Sequence, residues 1–352
     1  MARGKRITSK MVAERAGVSC TAVSFVLNGD PQGKISQETQ RRIRKAMADL
    51  GYKPDLLARS MRTRKTQTIG IITTGIAGAW FTRIVLGAEE ALRAEGYQIL
   101  LGSISEGPIK AKSISSSIDL LLSRQVDGLI IITGSEPQDE EALSSLIDSG
   151  VPAVLVNYYS KHRLPFGRVY IGYSDAATRA VEHLVSLGKK RIAFLGGPIE
   201  GRGAIGFNRE IYLGYRQGLG KCSLPYLQEL VCSWTAISTT YEYGKEMAEK
   251  VLALEPDAVY CLNDYIALGL LSSLRKIGVA VPDELAIMGN DDIEAARFVD
   301  LSLSSVDMML EDCGELAGKL ILQMLNGKKS KLPLYGPAKV KARASTMGRT
   351  ED

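Results

Sequence analysis

The sequence predicts an all-α helix-turn-helix head followed by an α/β body, the body being two doubly wound parallel-sheet lobes. Three observations carry this prediction. Residues 8–50 place apolar side chains at helical spacing, interrupted by single glycines. From Ile69 onward, short apolar runs of strand length alternate with helical patterns, the signature of βαβ units. Charge is also divided. Residues 1–65 hold 15 Lys and Arg against 5 Asp and Glu, a net +10, while the remaining residues hold 29 against 34, a net −5. A basic head on a mildly acidic body suits phosphate contacts confined to one end. A chain of 352 residues has room for both parts and a sizeable core.

In the head, Thr8 is placed to cap a first helix that carries Met11, Val12, Arg15 and Ala16 at helical spacing. Gly17 ends it, because glycine enters the left-handed region without a Cβ clash. Ser19 is placed to cap a second helix with Val23, Val26 and Leu27 facing inward. Helices this short do not persist alone. A third, from Ser36 to Leu50, supplies Ile43, Ala46, Met47 and Leu50. A helix-turn-helix lays its second helix in the DNA major groove, which brings Cys20, Thr21 and Ser24 to base edges. Spacing alone also fits a plain helical hairpin; the charge favours DNA. Asn28 to Lys34 reads as a loop, and Gly51 closes the third helix. Asp55 to Arg62 can form two turns, with Leu57, Ala58 and Met61 on one side, followed by a polar, basic linker. Such a segment is expected to order on binding.

In the body, strand runs are expected at I-G-I-I-T (from Ile69), Y-Q-I-L-L-G, D-G-L-I-I-I-T, V-P-A-V-L-V-N, Val169–Gly172, R-I-A-F-L, E-L-V-C-S, D-A-V-Y-C and E-L-A-I-M-G. Helical patterns lie between them, including Ser238–Ala253 and a last one at Met308–Leu325; a further strand is possible at Lys339–Arg343. Two α/β halves place a cleft at the carboxyl ends of their strands. Asn157, Asn263, Asp264 and Asp291 stand at or just after strand ends, where polar groups hold a hydroxyl-rich ligand. Asp264 also reads as a helix cap, and Asp291 as a surface turn residue.

Five scattered cysteines form no metal-ligand pattern, so no metal or cofactor is expected, and a reduced compartment is. Of the two histidines, His183 reads as a partly buried helix residue. The opening M-A-R-G-K-R begins no apolar signal, and no run reaches 18 apolar residues; a cytoplasmic protein without membrane contact is expected. Gly201 to Gly206 is literally G-x-G-x-x-G, yet it starts too far from its strand for a dinucleotide fold. Asp291-Asp292 lacks a partnering base or nucleophile. No enzymatic activity is expected. A secreted sugar-binding receptor would account for residues 69–345 but not for the basic head.

The motifs V-A-E-R-A-G-V-S-C-T-A-V-S-F-V-L-N-G, G-Y-K-P-D-L-L-A-R-S-M-R, H-L-V-S-L-G-K-K-R-I-A-F-L-G-G, L-N-D-Y-I-A-L-G and V-P-D-E-L-A-I-M-G-N-D-D run almost the length of the chain. Together they resemble the lactose-repressor (LacI/GalR) family of transcriptional regulators. The resemblance implies a dimer on near-palindromic operator DNA, controlled by a small effector, taken here as a sugar or sugar derivative. It divides the chain into a head (1–53), a hinge helix and linker (54–67), a two-lobed body resembling periplasmic binding proteins (68–345) and a tail (346–352). DNA contacts are then implied for Thr8, Ser19, Cys20, Thr21, Ser24, Phe25 and Asn28 in the head. In the hinge they fall to Ala58, Arg59, Met61 and Arg62, with Met61 where relatives wedge a leucine into the minor groove; Met61 packing on the body is the competing reading. The resemblance puts Asp291 in a ligand-contacting G-x-D-D motif, Trp234 at a sugar-stacking ring, and Trp80 and Phe81 at aromatic pocket positions. Trp234 also reads as a staple for the helix that follows.

Departures from the pattern are Ala22 for Thr, Lys189 for His, and Phe25 for Arg or His. Phe25 can meet a thymine methyl or turn into the core. Ile211 stands where the pocket arginine is usual, and Arg209 is its candidate substitute. No heptad tail follows Arg343, which favours a dimer over a tail-linked tetramer.

Overall fold

The computed structural model describes residues 7–27, 34–52, 65–74, 79–104, 114–132, 139–158, 164–199, 206–233, 241–328 and 334–348. The chain divides into two units, Met1–Thr66 and Gln67–Asp352. In the first, α1 (Ser9–Ala16), α2 (Cys20–Leu27) and α3 (Gln37–Leu50) surround a small core. Thr8 Oγ1 accepts from the Met11 amide at 3.4 Å, and Ser36 Oγ from the Thr39 amide at 3.2 Å. Gly17 and Gly51 close their helices in the left-handed region, with φ of 62° and 61°. Val12, Val23 and Ile43 are fully buried, with Ala13, Ala16, Ala22 and Ala46 around them. Each buried Val or Ile contributes about 1.5–3 kcal/mol, which none of these helices could recover alone. Arg15 is exposed, and Ala13 joins Val12 and Ala16 on the buried side of α1. The Arg42 guanidinium donates to the Ala16 and Gly17 carbonyls and so ties α3 to the turn.

In the body, a six-stranded parallel sheet has the order β11-β5-β4-β3-β1-β2. Its strands are β1 (Thr68–Thr74), β2 (Gln98–Ile104), β3 (Gly128–Ile132), β4 (Ala153–Val156), β5 (Gly167–Tyr170) and β11 (Leu334–Tyr335). Helices α5 (Ile114–Ser123) and α6 (Asp139–Ser149) cover one face through Ile118, Leu121, Leu143 and Leu146. The other face lies under α4 (Ala79–Ala94) and α13 (Leu310–Leu325). These two helices touch backbone to backbone. A Cβ at Gly87 would stand 1.9 Å from the Glu311 carbonyl oxygen, and one at Gly314 1.9 Å from that of Ile84.

The second sheet, order β7-β6-β8-β9, is also parallel: β6 (Ile192–Leu195), β7 (Val231–Cys232), β8 (Ala258–Cys261) and β9 (Ala286–Met288). Around it lie α7 (Tyr173–Ser186), α8 (Gly206–Lys221), α9 (Tyr241–Glu246), α10 (Ala248–Leu252) and α11 (Asp264–Lys276). Short α12 (Ala295–Phe298) precedes β10 (Ser305–Asp307). An antiparallel ribbon pairs β10 with β12 (Lys339–Lys341). The chain therefore crosses between lobes three times: after β5, before α13, and after β11.

Several expectations change. The helix expected over Ser238–Ala253 is two helices, α9 and α10, separated at Met247. The strand expected in E-L-V-C-S shrinks to Val231–Cys232 after a 3-10 turn. Thr346 is buried in a last helix, α14 (Ala344–Met347). Its hydroxyl meets His183 Nε2 at 3.0 Å and Ser304 Oγ at 2.7 Å. No described helix is long and apolar enough to cross a membrane.

Candidate DNA-contacting helix and effector site

Helix α2, C-T-A-V-S-F-V-L, carries no charged residue. Cys20 and Thr21 at its start are exposed, Ser24 and Phe25 are half-buried, and Ala22 and Val23 face the core. Ser19 Oγ accepts from the Ala22 amide at 3.2 Å, which fixes the first turn. Phe25 lies under the Lys34 ammonium, 4.9 Å from the ring centre. Thr8 and Ser19, besides capping, are exposed. Asn28 and the hinge candidates Ala58, Arg59, Met61 and Arg62 lie outside the described residues.

In the second lobe, three strand ends converge. Asn263 caps α11, its side-chain oxygen accepting from the Ile266 amide at 3.0 Å. The cap role that the sequence offered to Asp264 thus falls to Asn263. Asp264 itself is fully buried. Its Oδ2 accepts from the Ile293 amide at 2.8 Å and its Oδ1 from Ser305 Oγ at 2.6 Å. Both oxygens are engaged and neither is exposed, so Asp264 stands as an internal post of the second lobe. Burial pushes its carboxyl up to about 7, against the pull of the Ser305 and Ile293 hydrogen bonds.

The folded state therefore keeps a proton that the unfolded chain has released, between the usual carboxylate range and about pH 7. Its contribution to body stability falls as pH rises through that window. Asp264→Asn should flatten this loss, read as a smaller drop in melting temperature between pH 5 and 8. An unchanged pH profile would show that Asp264 does not titrate there.

Asp291 follows β9 on a segment where Asp291 and Asp292 both have positive φ, 106° and 50°. Two consecutive non-glycine residues in this region persist only where surroundings hold them. Here the Asp291 amide donates to the Val306 carbonyl at 2.9 Å and the Asp292 amide to Ser305 Oγ at 3.1 Å. The buried Asp292 carboxylate pairs with Arg297 at 2.9 Å and Arg343 at 2.5 Å. Burial, then the neighbouring Asp264 charge, raises the Asp291 carboxyl well above its ordinary value; Asn290 and Arg83 oppose this.

Arg83 comes from the first lobe. Its Nη1 donates to the Asp291 carbonyl at 3.2 Å, Nη2 to Asp307 Oδ1 at 3.0 Å and Nε to Glu311 Oε1 at 3.3 Å. The start of α4, with Trp80 and Phe81, is thereby held beside Asp291. Phe81 is 3% exposed and packed in the core; the side chain of Trp80, and all of Trp234, lie outside the described residues. Asn157, at the end of β4, is buried with φ 63°, and its Oδ1 has no hydrogen-bond partner among the described residues. Arg209 is exposed on α8. Among the described residues, no hydrogen bond or ion pair joins Asn157 or Arg209 to the Asp291 group.

Sequence reasoning missed Arg83, Asn208, Asn290 and Ser305. Asn208, beside Arg209, is buried; its Nδ2 donates to the Pro198 carbonyl at 3.3 Å and its Oδ1 is unpartnered. An arginine or asparagine on an amphipathic helix carries no local mark of a partner far along the chain.

Residues 8–55 match the model for bacterial regulatory proteins of the lacI family, and residues 181–346 that for a periplasmic binding protein-like domain. The catabolite control protein A of Priestia megaterium is 31% identical over 323 residues, covering 91% of this chain and 93% of that protein. The chain belongs to the LacI family. A cellobiose complex of the transcriptional regulator CelR is 26% identical, with TM-score 0.68 over 97% of this chain and all of that one. The lac repressor dimer bound to operator and an anti-inducer shares the fold, with TM-score 0.81, 24% identity, and coverage of 97% and 99%.

LacI-family proteins are DNA-binding transcriptional regulators, not enzymes, so the nucleotide-enzyme reading of residues 201–206 is set aside. As a LacI-family member the chain keeps its own substitutions. Ala22 fills the head core, 8% exposed, and Ile211 is 2% exposed in the second-lobe core. Neither position offers a polar group to DNA or effector.

Proposed function

We propose that this LacI-family protein is a cytoplasmic, homodimeric repressor whose operator affinity is set by a small, hydroxyl-rich effector, a sugar or sugar derivative. The observation that carries the reading is the exposed, charge-free start of α2 on a head of net charge +10. Base edges are read there by Thr21, Ser24 and Cys20, while surrounding Lys and Arg hold phosphates. Met61 acts as the hinge wedge in the operator's minor groove, Ala58 allows close approach, and Arg59 and Arg62 hold phosphates or the groove floor. The effector sits at the strand ends of the body, with Asp291 and Asn263 on its hydroxyls, Asn157 opposite, and Trp80 and Trp234 on its apolar face. The cellobiose bound to a regulator 26% identical supports the sugar class.

The partner copy is assigned to a second-lobe groove of about 510 Å³, where Leu268, Leu271 and Val299 lie among Arg275, Lys276 and Asp300. Neighbouring Phe298 is 77% exposed, and an apolar patch of this kind marks an association surface.

Asp291→Asn tests the effector site, since asparagine tolerates the positive φ but no longer offers a carboxylate. Effector binding should weaken by about 1.5–3 kcal/mol, roughly ten- to a hundredfold, followed by intrinsic fluorescence over a panel of sugars. Circular dichroism should be unchanged. A wild-type response in the variant would sink the pocket assignment and leave DNA binding standing.

A further inference from the structure

Arg83 uses each nitrogen of its guanidinium on a different element. Nε meets Glu311 on α13, Nη2 meets Asp307 on β10, and Nη1 meets the main-chain carbonyl of Asp291. The side chain is 22% exposed and Asp307 is 9% exposed, so the ion pair is partly shielded from water. Asp307 is held in turn: Oδ1 also accepts from the Met309 amide at 3.0 Å, and Oδ2 lies 3.8 Å from Lys341 Nζ. The guanidinium therefore has a fixed anchor on one side and, on the other, the carbonyl of a residue in an unfavourable backbone conformation.

That conformation needs holding. Asp291 and Asp292 are both at positive φ, and the amides of the segment are tied to β10 within the second lobe. The Asp291 carbonyl is tied instead to α4, the helix that follows β1 in the first lobe. Helix α4 cannot slide independently beneath it, because α4 and α13 are in backbone contact at Gly87 and Gly314.

We propose that Arg83 is a positioning residue that clamps the Asp291 segment of one lobe to α4 of the other, fixing the direction of the Asp291 carboxyl and coupling that segment to the relative arrangement of the lobes. Its bearing on effector control rests on the reading of Asp291 as an effector contact; the clamp itself does not. A lysine at 83 keeps the positive charge between Asp307 and Glu311 but lacks a planar fork able to serve three acceptors at once. Charge and clamp are thus separable.

The test is amide hydrogen exchange on the full-length, effector-free protein, comparing wild type, Arg83→Lys, Arg83→Gln and Asp291→Asn. With the clamp lost, the amides of Asp291, Asp292 and Ile293 should exchange at least tenfold faster in Arg83→Lys, while those of β3 and β8 keep their wild-type rates. Arg83→Gln should show the same local loss. Asp291→Asn keeps the main-chain carbonyl, so its segment should stay protected whatever happens to effector binding. Wild-type protection at 291–293 in Arg83→Lys, or an increase spread evenly over both sheets, would overturn the clamp. A sugar response retained by Asp291→Asn would overturn only the effector reading.

Discussion

Gly314→Val is expected to destabilise the body by about 4 kcal/mol or more, enough to leave much of the protein unfolded at ambient temperature. The space for a side chain is occupied by main chain. A Cβ at 314 would meet the Ile84 carbonyl oxygen at 1.9 Å and the Ala88 amide nitrogen at 2.9 Å. Neither can rotate aside as a flexible side chain would, so α4 and α13 must part. Parting them uncovers the sheet face that Ile84, Leu320 and Ile321 now bury. Urea unfolding followed by circular dichroism measures the loss. Gly220→Ala is the control: Gly220 lies in α8, with nothing within 4 Å of an added Cβ. Removing a helical glycine there should stabilise by roughly 0.5–1 kcal/mol. A Gly314→Val protein as stable as wild type would contradict the helix contact.

The second large effect concerns DNA. With a net charge of +10 in residues 1–65, a head engaging about six phosphates should give a log–log salt slope near −5. Operator affinity would then fall about a thousandfold between 50 and 200 mM salt. Because α2 has no charge of its own, selectivity and salt dependence should separate. Thr21→Ala should alter the ranking of operators with the slope unchanged, whereas Arg62→Gln should weaken all of them and reduce the slope by about one. A slope near zero, measured by anisotropy of labelled operator, would contradict phosphate-driven binding.

Much of this architecture was legible because its signals are local. Thr8 and Ser36 mark helix starts through their side-chain hydroxyls, Gly17 and Gly51 mark helix ends through their backbone freedom, and the structure caps the helices there. Apolar runs such as Gly128–Ile132 declare a strand buried on both faces. Strand β10 was not legible. Ser305-Val306-Asp307 is three residues long and is a strand only because Lys339–Lys341 returns beside it. Asp291 could be suspected from its place after β9. That Asp264 is an internal post depends on Ser305 and Ile293, 41 and 29 residues away in sequence. Arg83 is the extreme case: helical periodicity says which way it faces and nothing about acceptors more than 200 residues on.

The three crossings between lobes also govern how the protein must be made. When the ribosome has released the first 300 residues, β1 to β5 are available, but helix α13 and edge strand β11 are not. Until Leu320 and Ile321 arrive, one face of that sheet, with Ile130, Ile132, Val154 and Val156, has only α4 to cover it. The lobe begun first is completed only after most of the second has been made. A nascent chain stalled before residue 310 displays a partly bare apolar sheet, the kind of surface that aggregates or recruits a chaperone. Synthesis of the last fifty residues is thus the step at which both halves of the body close.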